Sequence, residues 1–267
     1  VALQRYIPLA SLILMIAFLS TGCQKRDKER FGKTFYLDGA GNWGYGAADV
    51  PAGLMDAGYR GDVELFIWTT SFNPLVDQLN ILGARARALA LTDKIKSYAR
   101  AFPGNPINVI ALSAGTGVAT WAIEGLPPDV RIDTLVLLGS SLSHDYDMSR
   151  VLSRMDGRIY VYYSPLDTVL ETVRVVGTID GKRGVDSIGL VGLRPPRGAE
   201  DRVVNIGWDR SWMRLGWTGA HTDTTNRLFV SKEIAKRIKI MESAPQPTED
   251  SLDTTALVSH DQRIQSM

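Results

Sequence analysis

The chain has a single cysteine in 267 residues, Cys23, so no disulfide can close within it and no paired-cysteine metal site can be assembled. Histidine is almost as scarce, with only His144, His221 and His260, which limits any imidazole chemistry to three positions. Neither sign of charge dominates. Lysine plus arginine number 30 against 29 aspartates and glutamates, and no basic block stands out beyond a short run near Lys25, which argues against a nucleic-acid partner. The apolar run at residues 7–19 falls short of the about 20 residues that a membrane-spanning helix needs.

What is present begins with Arg5, the apolar run, and the small residues Ser20, Thr21 and Gly22 directly before Cys23, the order of parts in a targeting segment. This arrangement resembles a bacterial lipoprotein signal, with Ser20 standing where a leucine-like residue is usual. The resemblance implies that Cys23 is acylated, becomes the mature N-terminus and anchors the protein to a membrane of the bacterial cell envelope, outside the cytoplasm. An uncleaved membrane anchor and an ordinary secreted protein are the alternatives, and both are also extracytoplasmic. Residues 24–33 have the composition of a charged tether. Residues 242–267, rich in Ser, Pro, Thr, Asp and Glu, read as a disordered polar tail. That leaves residues 34–241 as one domain, and an apolar content of 45% is enough for a single core of that size.

Within the domain, apolar runs at 34–37, 63–70, 107–112, 132–139, 158–163 and 202–208 predict strands. Between them lie a modest helix at 48–57, a long amphipathic helix ending near Phe102 after an Asn73-Pro74 start, and a helix following Gly115. An amphipathic helix is expected over 225–241. Strands that read as continuous apolar runs and alternate with helices imply an α/β fold, a mostly parallel central sheet with helices on both faces. Function gathers at the carboxyl ends of such strands, where Ser113, Ser141 and Asp167 fall.

Several motifs compete for that function. Residues 39–44 spell G-x-G-x-x-G after a strand, but the acids of the next strand, Asp62 and Glu64, lie at the end opposite to where a ribose needs one, and Trp43 crowds the loop. His144, Asp145 and Asp147 form a short acidic and imidazole cluster with no matched second half, so no metal is expected. Trp208, Trp212 and Trp217 either line an apolar pocket or pack the loop before His221. The most telling stretch is 107–121, where an apolar strand reaches Ala111-Leu112-Ser113-Ala114-Gly115 and passes at once into a helix. Small residues two before and two after the serine let strand and helix approach closely.

This strand, serine turn and helix resemble the nucleophile elbow of the α/β-hydrolase superfamily, with Ala111 in place of the first glycine of G-x-S-x-G. The resemblance spans residues 34–241 and implies the order serine, acid, histidine, which Ser113, Asp167 and His221 satisfy. It implies a serine esterase working through an acyl-enzyme on an ester or acyl substrate, without a cofactor. Ser113 is then the nucleophile, His221 the base and Asp167 the acid that orients it, with Asp145 and Asp147 in reserve. Asp38-Gly39-Ala40 corresponds to the family's His-Gly-x loop, so the amides of Ala40 and Ala114 are the implied oxyanion donors. A catalytically inert envelope lipoprotein of the same fold, serving in binding or as a scaffold, is the alternative.

Overall fold

The computed structural model describes residues 25–69 and 71–241; the expected signal segment with Cys23, the polar tail and Thr70 lie outside them. Six parallel strands form one sheet in the order β2-β1-β3-β4-β5-β6: β1 (Lys33–Leu37), β2 (Asp62–Leu65), β3 (Ile107–Leu112), β4 (Ile132–Leu138), β5 (Met155–Tyr163) and β6 (Val203–Gly207). The helices are α1 (Asp49–Asp56), α2 (Pro74–Leu79), α3 (Ile81–Ala101), α4 (Gly115–Glu124), α5 (Ser149–Leu152), α6 (Thr168–Val176), α7 (Ile188–Val191) and α8 (Arg227–Lys232). The expected α/β architecture is the one observed.

The strand alternation sorts the core into two layers. Phe35, Leu37, Val109, Ala111, Leu135 and Val161 meet residues of α3 and α4 such as Leu91, Ile95, Val118 and Ile123. Their neighbours Tyr36, Ile110, Leu112, Val136 and Tyr162 point to the other face and meet Val50 and Leu54 of α1 and Phe229 and Val230 of α8. Both faces of the central strands β1, β3 and β4 are therefore buried, which is why these read as largely apolar runs. Chain order reverses between β1 and β3, since β1 leads outward to β2 and the chain then crosses back. The crevice at the carboxyl ends of those two strands is the natural place for a ligand.

Three expectations about elements need correction. The strand foreseen over 63–70 is only Asp62–Leu65, because past Phe66 the edge leaves the ladder. There Trp68 turns inward to donate its indole N–H to the Asp38 carbonyl (2.8 Å), and Arg87 takes the Ile67 carbonyl. The long helix is two helices, since Asn80 accepts from the Gly83 amide and starts α3 afresh. The terminal helix over 225–241 stops at Lys232. A 3-10 turn at Ile234–Arg237 follows; beyond it the Asn108 side chain donates to the Lys239 carbonyl and accepts from its amide, and the Phe31 carbonyl, in the turn before β1, accepts from the Met241 amide, so these contacts replace helical bonding. Among the described residues no helix is long and apolar enough to cross a membrane.

The tether expected at 24–33 is partly built into the domain. Residues 25–29 are helical, and Lys33 opens β1 with its ammonium buried among Glu29 (2.7 Å), Asp62 (2.8 Å) and Glu64 (2.7 Å). Burial by itself would raise the Glu64 carboxyl, but the ammonium groups of Lys33 and Lys94 outweigh it and hold it down at about 2, against an ordinary 4.5. A lowered folded value means that the contribution is complete above pH 4.5 and is lost as the pH falls from there through about 2. Glu64→Gln is therefore expected to lower stability at pH 7 and to flatten its decline between pH 4.5 and 2, measured by urea unfolding across that range. An unchanged slope would remove Glu64 from the acid response.

Candidate functional site

The site is built where β3 ends. Ser113 has φ +52°, a left-handed backbone that costs a non-glycine residue roughly 1–2 kcal/mol. Its surroundings pin both sides of it. The Ser113 amide donates to the Leu138 carbonyl at the end of β4 (2.9 Å), while its carbonyl accepts from the Thr116 amide (3.1 Å) and the Thr116 hydroxyl. Small neighbours are obligatory here. A Cβ on Gly115 would overlap the Asp38 carbonyl, and one on Gly39 would stand 3.3 Å from the Ser113 Cβ.

Two loops bring the other groups. Asp167, at the start of α6, is 2% exposed, and its two oxygens divide their work. Oδ1 accepts from the Leu170 amide (3.0 Å) as a helix cap, and Oδ2 lies 2.6 Å from His221 Nδ1. A carboxylate can only accept, so the shared proton is assigned to Nδ1 and Nε2 remains as the basic nitrogen of the ring. The ring passes tightly over the end of β4: Gly139 has φ +46°, and a Cβ there would lie 3.2 Å from His221 Nδ1.

Ser113 and His221 line the same cavity of about 750 Å³, together with Gly39 and Ala40. They share no hydrogen bond, and Ser113 Oγ bonds to no described residue. The amides of Ala40 and of the buried Ala114 also donate to no acceptor among the described residues. Ala114 is buried and Ala40 half-buried at the cavity wall, so both amides are free to donate to an oxygen held there. The cavity walls are Trp43 and Tyr45 from the loop after β1, Pro74 and Leu75 of α2, and Val169, Val173 and Val176 of α6.

Other foreseen residues lie elsewhere. Asp145 pairs with Lys182 (2.8 Å) and Asp147 caps the Ser149 amide (2.9 Å), so neither reserve acid reaches His221. His144 Nε2 lies 3.5 Å from Arg194, and among the described residues no three His, Cys, Asp or Glu side chains are grouped to hold a metal. Trp208, Trp212 and Trp217 do not line the cavity. Trp208 donates to the Trp217 carbonyl (3.0 Å), and Trp217 stacks edge-on with Tyr162 and Phe229, because large rings are the means of fixing an otherwise irregular loop. Ser141 Oγ donates to the Gln78 side chain. The G-x-G-x-x-G loop directs its amides at carboxylates: Gly39, Gly44 and Tyr45 donate to Asp38, and Gly41 donates to Asp77 (2.8 Å). That hub is not legible in the sequence, where Asp38 stands as a replacement for histidine; its one signal is a charged residue placed between the apolar Phe35-Tyr36-Leu37 end of β1 and glycine.

No family model matches the sequence, and no curated protein matches it. Among solved structures, the chain is similar to a cutinase-like protein from Cryptococcus sp., with 12% identity, coverage of 77% of this chain and 93% of that one, and a TM-score of 0.42. A dienelactone hydrolase from Anabaena variabilis has 13% identity, coverage of 77% and 84%, and a TM-score of 0.44. A lipase-esterase related protein from Clostridium acetobutylicum has 10% identity, coverage of 78% and 94%, and a TM-score of 0.43. Scores of this size assign no family, and the chemistry rests on the side chains above.

The Gly139 contact is testable by itself. Gly139→Ala is expected to lose about 1–2 kcal/mol of stability, because alanine at that backbone conformation is strained and its methyl presses on the imidazole. The downfield proton resonance of His221 Nδ1 should disappear or shift as the ring leaves Asp167. A variant with the parent's stability and an unmoved resonance would contradict the contact.

Proposed function

We propose that the protein is a serine hydrolase of the α/β-hydrolase type that cleaves carboxylic esters. One observation carries this reading: a serine held at φ +52° on a strand-to-helix turn opens into the same cavity as an imidazole whose Nδ1 is 2.6 Å from a buried carboxylate. A serine hydroxyl is a weak nucleophile at neutral pH and needs such a base.

In this scheme Ser113 Oγ attacks the ester carbonyl carbon while His221 Nε2 takes its proton. Asp167 keeps the ring in the Nδ1–H tautomer and stabilises the imidazolium. The oxygen of the tetrahedral intermediate takes hydrogen bonds from the amides of Ala114 and Ala40. His221 then returns the proton to the departing alcohol, leaving an acyl group on Ser113. A water molecule, deprotonated by the same nitrogen, hydrolyses that acyl-enzyme.

The cavity favours an uncharged substrate. Its lining includes no lysine, arginine, aspartate or glutamate, and an ionised group brought in would lose hydration without a partner. Valine, leucine and tryptophan side chains there suit an apolar acyl or alcohol portion. Lipidation at Cys23 and a place in the bacterial envelope belong to the same proposal, on the strength of the segment before Lys25.

Ser113→Ala is expected to abolish turnover of aryl esters with an unchanged far-UV spectrum; a folded variant with undiminished activity would overturn the assignment. Asp167→Asn separates chemistry from folding, because asparagine still caps the Leu170 amide but does not hold the tautomer. Its turnover should fall by up to about ten-thousand-fold with little change in KM. Asp145→Asn and Asp147→Asn should stay near the parent. Retained turnover in Asp167→Asn would return Asp167 to a purely structural cap. For the anchor, Cys23→Ser should stop incorporation of a radiolabelled fatty acid, and equal labelling would refute lipidation there.

A further inference from the structure

The loop after β1 is organised around one buried carboxylate. Asp38 is fully buried, and four donors converge on it. Oδ1 accepts from the Tyr36 hydroxyl (3.2 Å) and the Gly39 amide (2.9 Å); Oδ2 accepts from the Gly44 amide (2.7 Å) and the Tyr45 amide (3.0 Å). The Asp38 carbonyl is taken up by the Trp68 indole (2.8 Å). Residues 39–45 thus wrap around the side chain, and their outer edge is tied down in two further places. The Gly41 amide donates to Asp77, and the Thr225 hydroxyl, from the segment just after His221, shares its proton between the Thr222 carbonyl (2.7 Å) and the Tyr45 carbonyl (3.2 Å).

This arrangement spends the amides of Gly39, Gly41, Gly44 and Tyr45 on carboxylates and that of Asn42 on the Gly39 carbonyl, and leaves the amide of Ala40, at the cavity wall, without an acceptor among the described residues. We propose that Asp38 is a positioning residue for the reaction: it fixes the loop so that the Ala40 N–H is preset for the developing oxyanion. The inference rests on the serine hydrolase reading and adds a residue that touches neither substrate nor reacting atoms.

The chemistry of the four donors makes the claim sharp. Two pairs of donors face two oxygens, and only an acceptor-only group can satisfy both pairs. Asparagine must turn its NH2 toward one pair. On the Oδ1 side the Tyr36 hydroxyl can reverse and accept, but the Gly39 amide cannot; on the Oδ2 side both partners are backbone N–H groups. Either orientation leaves at least one backbone N–H facing another donor, buried on the Oδ1 side and half-buried on the Oδ2 side, so the loop relaxes and the Ala40 amide loses its aim. A ground-state ester needs that amide little, whereas the tetrahedral oxyanion needs it fully.

The test is Asp38→Asn, assayed for kcat and KM on an aryl ester and for binding of an alkyl boronic acid, which forms a tetrahedral adduct on an active serine. Loss of one oxyanion donor lowers kcat by about 100-fold to 1000-fold, so a fall of that order is expected, with KM within about twofold. Boronate affinity should fall in step with kcat. A folded Asp38→Asn enzyme with parental kcat overturns the proposal, and so does a loss that appears mainly in KM. If Asp38→Asn does not fold, Tyr36→Phe is used instead, since it removes one of the four donors and keeps the carboxylate. A severalfold drop in kcat at constant KM then supports the proposal, and unchanged kcat overturns it. Failure of the underlying reading is distinguishable, because it would show as activity persisting in Ser113→Ala.

Discussion

The left-handed backbone of Ser113 is the constraint on which the rest of the site depends. A residue at φ +52° is tolerated only where its neighbours fix it from both sides. Here the end of β4 takes its amide and the first turn of α4 takes its carbonyl. The consequence runs outward through sterics. With strand and helix meeting at a sharp turn, the adjoining strand end comes close enough that Gly115 cannot carry a Cβ beside the Asp38 carbonyl. The loop after β1 is thereby brought against the serine, and the crevice between β1 and β3 becomes the floor of the cavity.

Buried carboxylates do much of the remaining organisation, each by accepting more than one hydrogen bond. Asp167 caps α6 with one oxygen and orients His221 with the other, so the helix that supplies the valine wall also carries the acid. Asp38 gathers the loop after β1, and Asp77 of α2 joins that loop to the Ser71 hydroxyl. Thr225 ties the histidine segment to the same loop. Three stretches far apart in sequence are therefore linked by polar contacts around an apolar space. The buried acids act as fixed frames, and the cavity itself presents almost no charge, which suits the proposed reaction, in which charge develops only on the way to the tetrahedral intermediate.

Much of this was legible in the chain. Strand alternation and continuous apolar runs announce a parallel sheet covered on both faces, and the serine turn after residues 107–112 stands out for its small flanking residues. Asp167 and His221 follow from the serine, acid, histidine order that the α/β-hydrolase resemblance implies, as an acid after a strand and a histidine in a glycine-rich loop. What the sequence concealed depends on long-range partners. The edge strand past Leu65 reads as strand because its residues are apolar, yet Trp68 answers to Asp38 and Ile67 to Arg87. The segment 225–241 has helical spacing, but Asn108, 131 positions earlier, draws Lys239 into an extended pairing. Asp38 looked like a departure from a pattern because its four donors belong to a loop whose shape no local rule specifies.

The account turns on whether Ser113 is activated by its surroundings. Exposure of the protein to a fluorophosphonate, followed by mass spectrometry of the digested chain, measures this directly. The predicted result is a single covalent adduct on the peptide containing Ser113, lost when His221 is replaced by alanine. No adduct, or an adduct on another serine such as Ser141 with Ser113 unmodified, would contradict the account.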